Sequence, residues 1–250
     1  MKRRQKPAGS TLTMVDYAYK ATLVVIPAYN AGKAIRKVIS QVKEVSPHLK
    51  ALVVDDGSTD NTAAEAERAG AMLVKHGQNL GKGAALRTGF REFLSKDFKA
   101  VITIDADGQH SPLDIPRLVE AWLNKRADIV IGTRDRSKGG MPPIRVLTNR
   151  VSSWLVSLSA WQFIPDSQSG YRLLSRSVVE NVETESKHYG AESEILIKAS
   201  IAGYNIESAP IATIYEDETS YVSPVKQPLR FMGMMFRSIF WRFERGGRGR

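Results

Sequence analysis

Hydrophobic and polar positions along residues 22–132 fall into two alternating patterns. Short apolar runs rich in valine and isoleucine predict buried β-strands, since strands covered on both faces lack polar alternation. Between these runs, apolar residues recur three and four positions apart, which is the spacing of an amphipathic helix. The predicted strands are 22–26, 51–54, 71–75, 100–104 and 128–131, and the predicted helices are 34–42, 62–69, 83–94 and 112–124.

This alternation predicts an α/β fold with parallel strands joined by right-handed crossovers, as in nucleotide-binding sheets. After residue 134 the pattern changes. A Gly/Pro-rich loop at 137–143 precedes a long predicted helix at 144–163, which is rich in apolar residues of the kind found on exposed faces, including Trp154 and Trp161. A strand at 171–174, a helix at 191–202 and a strand at 205–214 complete the predicted core.

The net charge of +10 is confined to the two ends of the 250-residue chain. Residues 1–20 carry +4 and residues 226–250 carry +6, so residues 21–225 are neutral. A nucleic-acid-binding core would itself be basic, so we expect no nucleic-acid partner. We predict three segments: a basic tail at 1–20, a globular domain at 21–225 and a basic C-terminal segment at 226–250.

We expect neither a secretory leader nor a membrane-spanning segment. The basic start is followed by polar residues rather than by the apolar stretch of a signal peptide. No run of 18 or more apolar residues occurs, whereas a spanning helix needs about 20. The chain has no cysteine, which fits a reducing compartment. We therefore predict a cytoplasmic location.

Two carboxylates, Asp105 and Asp107, directly follow the predicted strand at 100–104. In open α/β sheets ligands bind at the carboxyl ends of the strands. Two carboxylates this close repel each other, and a divalent cation would compensate, since Mg²⁺ is typically held by one or two carboxylates together with substrate phosphates. The alternative is a surface turn, because Asp-Gly is ordinary turn chemistry.

Polar loops follow all five strands predicted within residues 22–132, and parallel strands bring such loops to one edge of the sheet. We therefore predict a binding site at that edge. The glycines between residues 77 and 83 lack the spacing of a P-loop and the third glycine of a dinucleotide fingerprint. The loops are 27–30, 55–60, 79–83, 105–107 and 132–134.

Four of these segments together resemble family 2 glycosyltransferases of the GT-A fold: Val25–Asn30, Val54–Asp60, Asn79–Gly83 and Asp105–Gln109. The segments 167–172 and 191–196 resemble the branch that contains dolichyl-phosphate mannose and glucose synthases. The resemblance implies a Rossmann-like, mostly parallel sheet flanked by helices. It also implies transfer of a hexose from a nucleotide sugar, of the GDP-mannose or UDP-glucose type, to a polyprenyl or dolichyl phosphate.

The resemblance also implies roles for individual residues. Asp105, Asp107 and Gln109 would hold Mg²⁺ or Mn²⁺ and the diphosphate, and the catalytic set would be Asp105, Asp107, Arg134 and Glu192. Two departures stand out: Ala31 replaces a common glutamate, and the basic pair expected after the last strand is absent, with Lys226 and Arg230 as candidate replacements. The other substrate-binding residues implied are Pro27, Ala28, Tyr29, Asn30, Val54, Asp55, Asp56, Gly57, Ser58, Lys82, Ala106, Arg145, Ser169, Gly170 and Arg230.

The acceptor determines whether a general base is needed. A phosphate monoester is mostly dianionic near pH 7 and needs none, since its second pKa is about 6. A hydroxyl acceptor on a glycan or glycolipid would require Glu192, Glu194 or Asp166 as the base. A non-catalytic nucleotide-sugar-binding protein is a further alternative, although the Asp-x-Asp pair is intact here.

A lipid acceptor implies contact with a membrane, and residues 227–243 supply a candidate. Apolar residues recur there near helical spacing, with three arginines among them. One interpretation is an amphipathic helix in the membrane interface, which would make the protein peripheral on the cytoplasmic face. The other is a helix docked on the core. The apolar positions are Leu229, Met232, Phe236, Ile239, Phe240 and Phe243.

Overall fold

The computed structural model describes residues 13–134, 143–186 and 190–212, together with helical positions 232–235, 237–238 and 240–241. Strands and helices alternate through most of the described chain, as predicted. The strands are β1 (Thr22–Ala28), β2 (Lys50–Asp55), β3 (Met72–Lys75), β4 (Ala100–Thr103), β5 (Ile129–Arg134), β6 (Arg172–Ser175) and β7 (Ile206–Ile211). The helices are α1 (Met14–Lys20), α2 (Ile35–Val45), α3 (Thr62–Arg68), α4 (Lys82–Leu94), α5 (Ile115–Lys125), α6 (Pro143–Ala160), α7 (Arg176–Asn181) and α8 (Ala191–Ile201), with a 3₁₀ turn at Pro112–Asp114.

The strands form a seven-stranded sheet in the order β3-β2-β1-β4-β6-β5-β7. All pairs are parallel except those of β6, which runs antiparallel to β4 and to β5. In the register of β1 and β2, Ala28 lies opposite Asp55 at the carboxyl ends of both strands. The parallel strands therefore bring their carboxyl-terminal loops to one edge of the sheet.

Alternate residues of each central strand pack against different helix layers. On β1, Val24 and Ile26 join a core cluster that includes residues of α2 and α5. Leu23 and Val25 join a second cluster that includes residues of α4, α6 and α8. Because both faces are covered, the central strands are apolar without alternation, as in buried parallel sheets.

Two helices were not predicted from the sequence. Helix α1 lies within the segment predicted as an N-terminal tail, and it buries Ala18 and Tyr19. It begins with a capping box in which Thr13 and Asp16 exchange side-chain and backbone hydrogen bonds of 3.1 Å each. Helix α7 has only six residues and is capped by Ser175. Neither shows a clear helical recurrence of apolar residues over its six or seven positions.

The described C-terminal positions have one buried face. Met234, Met235 and Ser238 are buried, and both methionines belong to the core cluster of α8. Met232 and Phe240 are exposed. The described positions therefore include a buried face, and both interpretations of the segment remain predictions. No helix in the described parts of the chain is long and apolar enough to cross a bilayer.

Candidate active site

Two loops at the carboxyl edge of the sheet are joined by side-chain to backbone hydrogen bonds. The Asn30 amide donates to the Ser58 hydroxyl at 2.9 Å, and the Thr59 amide donates to the Asn30 side chain at 2.9 Å. Asn30 adopts a left-handed conformation (φ 50°), which asparagine tolerates better than most residues. The Gly32 amide donates to Asp60 at 3.0 Å. The first two loops therefore form one unit.

Asp56 ties a third loop to this unit. Its buried carboxylate accepts hydrogen bonds from the amides of Leu80 (2.9 Å) and Gly81 (2.7 Å) and lies 2.7 Å from Nδ1 of His76. Gly57 makes the close approach possible, because its φ is +74° and a Cβ there would lie 2.4 Å from the backbone of Gln78. We call the three loops, residues 29–32, 55–62 and 76–81, the loop side of the site.

The structure places the predicted substrate-binding residues of the first two loops at different depths. Tyr29 is exposed at the end of β1. Val54 is fully buried in the core beneath the loops, so its side chain does not reach the site surface. Asp55 is also fully buried, and it accepts a hydrogen bond from the Ser58 amide at 2.9 Å. Pro27 and Ala28 are buried in β1, and Gly57 and Ser58 are partly buried. Of these residues, Tyr29 and the loop backbone are the best candidates for direct contact with substrate, which remains a prediction.

Lys82, the first residue of α4, bridges two carboxylates from distant parts of the chain. Its Nζ lies 2.5 Å from Asp105 and 2.7 Å from Glu192. Burial works to lower the pKa of Lys82, but the two carboxylates raise it well above its ordinary value. Burial works to raise the pKa of Asp105, yet Lys82 and other cations hold it below its ordinary value. At neutral pH the cluster thus contains a cation between two acidic groups.

Gly170 leaves the space that this cluster occupies. A Cβ at position 170 would lie 2.6 Å from Asp105 Oδ2 and 2.9 Å from Lys82 Nζ. The Gly170 carbonyl accepts a hydrogen bond from the Thr103 hydroxyl at 2.8 Å, which fixes the loop against β4. Any side chain at position 170 would therefore displace Lys82 or Asp105.

Asp107 lies exposed at the mouth of the site, and its Oδ1 accepts a hydrogen bond from the Gln109 amide at 2.9 Å. Asp105, Asp107 and Gln109 offer oxygen ligands, which suit Mg²⁺ and Mn²⁺. The described residues contain no group of three or more His, Cys, Asp or Glu that could hold a metal ion. Because magnesium is usually held by one or two carboxylates and by substrate phosphates, the donor set fits the predicted metal.

Across the sheet edge, Arg134 at the end of β5 makes a two-pronged ion pair with Asp166. Nε lies 2.7 Å and Nη2 lies 2.9 Å from the carboxylate oxygens, and Asp166 is buried. This fork geometry orients the guanidinium as well as neutralising the acid. Arg134, predicted as a member of the catalytic set, therefore lies at this edge with its orientation set by Asp166.

Arg172, the first residue of β6, was missed by sequence reasoning. It is 1% exposed and donates to the carbonyls of Ser167 (2.8 Å), Ser169 (2.8 Å) and Glu192 (2.5 Å). Burial lowers the pKa of Arg172 to about 10, so it remains charged at neutral pH. It holds the 166–170 loop against the start of α8, a role that neither the motif at 167–172 nor the apolar strand indicated.

A second buried ion pair joins two residues of α8 that lie one helical turn apart. Lys198 Nζ lies 2.7 Å from Glu194, and both side chains are buried. Glu194 also accepts hydrogen bonds from the Thr184 hydroxyl at 2.7 Å and from the Ser186 amide at 2.9 Å. We call residues 166–172 and α8 the ion-pair side of the site, since buried charges hold them together.

Two buried polar atoms near the Lys82 cluster have no hydrogen-bond partner in the described structure. They are Glu192 Oε2 and His110 Nδ1. The His110 ring lies 5.7 Å from that of Tyr171. Burial lowers the pKa of His110, and Asp105 opposes this effect. Buried polar atoms are usually satisfied, so a bound molecule, either substrate or water, should donate a hydrogen bond to Glu192 Oε2.

The remaining predicted site residues either are buried or lie outside the described residues. Arg145 belongs to the first turn of α6, but its side chain is not among the described parts of the structure. Lys226 and Arg230 lie wholly outside the described residues. Ser169 is fully buried, with its carbonyl bonded to Arg172. Ala106 is buried between the two carboxylates.

Comparison with known proteins identifies the family. The model of glycosyl transferase family 2 matches residues 23–183, which is most of the chain. The protein belongs to glycosyl transferase family 2. This confirms the resemblance seen in the sequence motifs, which lie at the carboxyl edge of the sheet.

Relatives within family 2 include enzymes named for lipid-phosphate acceptors. The chain is 32% identical to a UDP-N-acetylglucosamine–dolichyl-phosphate N-acetylglucosaminyltransferase of Methanococcus voltae, over 80% of this chain and 88% of that one. It is 29% identical to a polyprenol monophosphomannose synthase of Mycolicibacterium smegmatis, over 83% of this chain and 82% of that one.

Among solved structures, the fold resembles a glucosyl-3-phosphoglycerate synthase from Mycobacterium tuberculosis crystallised with Mn²⁺, UDP and glucosyl-3-phosphoglycerate. The TM-score is 0.69 at 20% identity, over 96% of this chain and 86% of that one. The likeness confirms the predicted GT-A fold, with a mostly parallel sheet flanked by helices. At 20% identity the likeness shows the fold alone.

Proposed function

We propose that this family 2 glycosyltransferase moves a hexose from a nucleotide-diphosphate sugar to a polyprenyl phosphate. The observation that carries the proposal is the state of the acids beside the site. Glu192 is paired with Lys82, Glu194 with Lys198, and Asp166 with Arg134. Each of these acids is thus already engaged in an ion pair, and a phosphate acceptor needs no base because it is mostly dianionic near pH 7.

The residues at the site would have distinct roles in binding and transfer. The loop side would bind the nucleoside, with Tyr29 exposed beside it. Asp105 and Asp107, with Gln109, would hold Mg²⁺ or Mn²⁺, which would neutralise charge on the departing diphosphate. Lys82 and Arg134, which are paired with acids at the same edge, would donate hydrogen bonds to phosphate oxygens and stabilise the developing negative charge.

The reaction would invert the configuration at C1, the anomeric carbon of the sugar. A phosphate oxygen of the acceptor attacks C1 from the face opposite the leaving group, a C1–O bond forms, and the bond from C1 to the diphosphate oxygen breaks. The electron pair leaves with the nucleoside diphosphate. No proton has to be removed from a dianionic acceptor, so the chain needs no group that cycles between acid and base.

A second candidate is a hydroxyl acceptor, and one observation favours it. Glu192 Oε2 is buried without a partner in the described structure, so one oxygen of this acid is available to accept a proton. Under this alternative, Glu192→Gln would lower kcat about 10²- to 10⁴-fold, as for the loss of a general base. With a phosphate acceptor the loss would be smaller, because the amide oxygen of the substituted glutamine can still accept a hydrogen bond from Lys82.

The deciding experiment is transfer of radiolabelled sugar from UDP- and GDP-hexoses and from UDP-N-acetylglucosamine. The acceptors are a short-chain polyprenyl phosphate and the matched polyprenol, which differ only in the phosphate. We expect product on the phosphate alone. Product on the polyprenol would favour the hydroxyl alternative. Donor binding by calorimetry without transfer to either acceptor would indicate a nucleotide-sugar-binding protein.

A further inference from the structure

Helix α6 carries a continuous apolar stripe on its exposed side. Leu147, Val151, Trp154 and Leu158 follow one another at intervals of four and three residues, so they share one face of the helix. All four are exposed, Trp154 by 64%. The opposite face, which includes Val156 and Ala160, is buried in the core. An exposed stripe of this length on a folded domain indicates a binding surface.

The turn that ends α6 extends the stripe with two aromatic residues. Trp161 is 88% exposed and Phe163 is 82% exposed. Their neighbours are anchored, since Gln162 donates to the Ile206 carbonyl at 2.8 Å and the Ile164 amide donates to Ser157 at 2.9 Å. The exposure of these rings is therefore built into an ordered turn.

Trp161 also has an unfavourable backbone conformation. Its φ is +53°, in the left-handed region that bulky residues seldom adopt. An asparagine or glycine would be more stable in that conformation, and burial of the ring would be more favourable than its exposure. A large exposed aromatic at a strained position is typical of a functional contact.

The charge around the stripe favours an anionic partner. Residues 143–163 contain two arginines, Arg145 and Arg150, and no acidic residue. Arg150 is exposed, one position before Val151 in the stripe. Exposed tryptophan and phenylalanine with flanking arginine is the composition of helices that lie in the interface of anionic bilayers. A second copy of the chain is less suitable, because its own α6 would bring like charges together.

The stripe also lies next to the candidate site. Helix α6 begins nine residues after Arg134, and the chain returns from α6 to Asp166. The Ser153 hydroxyl, on the buried face of α6, accepts a hydrogen bond from the Ser167 amide at 3.1 Å. Arg172 holds the Ser167 carbonyl in the same loop. A surface that binds α6 would therefore lie beside the ion-pair side of the site.

We propose that the α6 stripe, Leu147, Val151, Trp154, Leu158, Trp161 and Phe163, binds the surface of an anionic membrane. This deepens the proposed function, because a membrane docked on α6 would present a lipid-linked phosphate next to Arg134 and Lys82. The inference differs from the sequence prediction, which offered residues 227–243 as the candidate for membrane contact. In the described part of that segment, Met234, Met235 and Ser238 instead pack inward.

The test uses the full chain and vesicles of phosphatidylcholine with and without phosphatidylglycerol, with no sugar donor. The variant is Trp154→Gln with Leu158→Gln. The matched control is Met14→Gln with Tyr17→Gln, which removes two exposed apolar side chains from α1. We expect the wild type and the control to sediment with phosphatidylglycerol vesicles, and the α6 variant to bind at least about tenfold more weakly, because each buried side chain contributes about that much.

Two further measurements distinguish an anionic membrane from a second copy of the chain as the partner of the α6 stripe. Arg150→Gln should weaken binding to phosphatidylglycerol vesicles and leave the weaker binding to phosphatidylcholine unchanged. Light scattering after gel filtration should give a monomer for both wild type and α6 variant. A wild-type dimer that the α6 variant converts to monomer, with equal vesicle binding by both, would overturn the membrane proposal in favour of self-association. Absence of wild-type binding to either vesicle would also overturn it.

Failure of this inference and failure of the proposed function give different results. If only the inference fails, the α6 variant binds vesicles like the wild type and both transfer sugar to polyprenyl phosphate. If only the transfer reaction fails, vesicle binding depends on Trp154 and Leu158, yet no acceptor is glycosylated. If both hold, the α6 variant loses activity on long-chain acceptor in vesicles and keeps it on a short, water-soluble acceptor.

Discussion

The loop side and the ion-pair side of the site are held together by different forces. On the loop side, backbone amides donate to short polar side chains such as Asn30, Ser58 and Asp60. On the ion-pair side, buried charges on Arg172, Glu194 and Lys198 hold the chain. Removing one partner of a buried charge leaves the other unpaired, which costs several kcal/mol. We therefore expect stability to be sensitive on the ion-pair side and substrate use to be sensitive on the loop side.

The largest effect should follow Arg172→Met. The change keeps an unbranched side chain but leaves three carbonyls without their donor. We expect a loss of about 4 kcal/mol in the free energy of unfolding, or roughly 10 °C in Tm, measured by calorimetry. Arg36→Met, at an exposed arginine of α2, should change Tm by about 1 °C at most. An unchanged Tm for Arg172→Met would contradict the expectation that stability is most sensitive on the ion-pair side.

Glu194→Gln should have the next largest effect and should depend on pH. The variant leaves Lys198 buried without a counter-charge, at a cost of about 3 kcal/mol at neutral pH. Burial works to raise the pKa of Glu194, but hydrogen bonds from Lys198, Thr184 and Ser186 lower it below its ordinary value. The stability that ionised Glu194 contributes is therefore present above the unfolded pKa and lost as the pH falls through the folded pKa.

The measurement for this prediction is Tm against pH for the wild type, Glu194→Gln and the exposed control Glu120→Gln. The difference between wild type and Glu194→Gln should stay constant near neutrality and narrow below about pH 4, where the wild-type acid becomes protonated. A difference that stays constant down to about pH 3, well below the ordinary pKa of a glutamate, would show that the carboxylate charge contributes nothing.

Asp107→Asn should separate activity from stability at the mouth of the site. Asp107 is exposed, so Tm should stay within about 1 °C of the wild type, as for most surface substitutions. Turnover should fall about 10²-fold or more, which is typical of losing one electrostatic stabiliser. Asp97→Asn, at another exposed aspartate, serves as the control. Normal turnover in the presence of Mg²⁺ or Mn²⁺ would exclude Asp107 from the reaction.

The smallest effect should come from Asp56→Asn. The substitution preserves size but replaces one carboxylate oxygen with an NH₂ group. This group cannot accept a hydrogen bond from the backbone amide of Leu80 or Gly81, so the 76–81 loop is held less firmly. We expect the donor KM to rise about tenfold with kcat largely retained, since one charged hydrogen bond contributes about 1.5 kcal/mol. A fall in kcat at constant donor KM would place Asp56 in the chemical step instead.

Much of the fold follows from the sequence because its signals are local. Buried strands and amphipathic helices have periods that a short window reveals, and polar loops after parallel strands must meet at one edge. Helix α1 could also have been found, because Thr13 and Asp16 have the spacing of a capping box. The antiparallel direction of β6 has no comparable signal, since its apolar residues would suit either direction.

The ion-pair side was less predictable because its contacts join residues far apart in the chain. Lys82 and Glu192 are about 110 positions apart, and no periodicity connects them. The sequence placed Lys82, Asp105 and Glu192 in the site through family resemblance, but not the bridge among them. Arg172 and Lys198 were missed altogether. A charged residue in an apolar segment indicates only that a partner exists, and the fold decides which residue it is.

The position of β6 has a consequence for how the chain folds during synthesis. It lies between β4 and β5 in the sheet, although it follows β5 in the chain by about 40 residues. Strands β1 to β4 can pair as soon as they leave the ribosome, whereas β5 has no neighbour until β6 emerges. At the usual 5–20 residues per second this delay lasts roughly 2–8 seconds. For that interval the nascent chain exposes the apolar strand β5 and the outer edge of β4, so co-translational chaperones should bind mainly to these two strands.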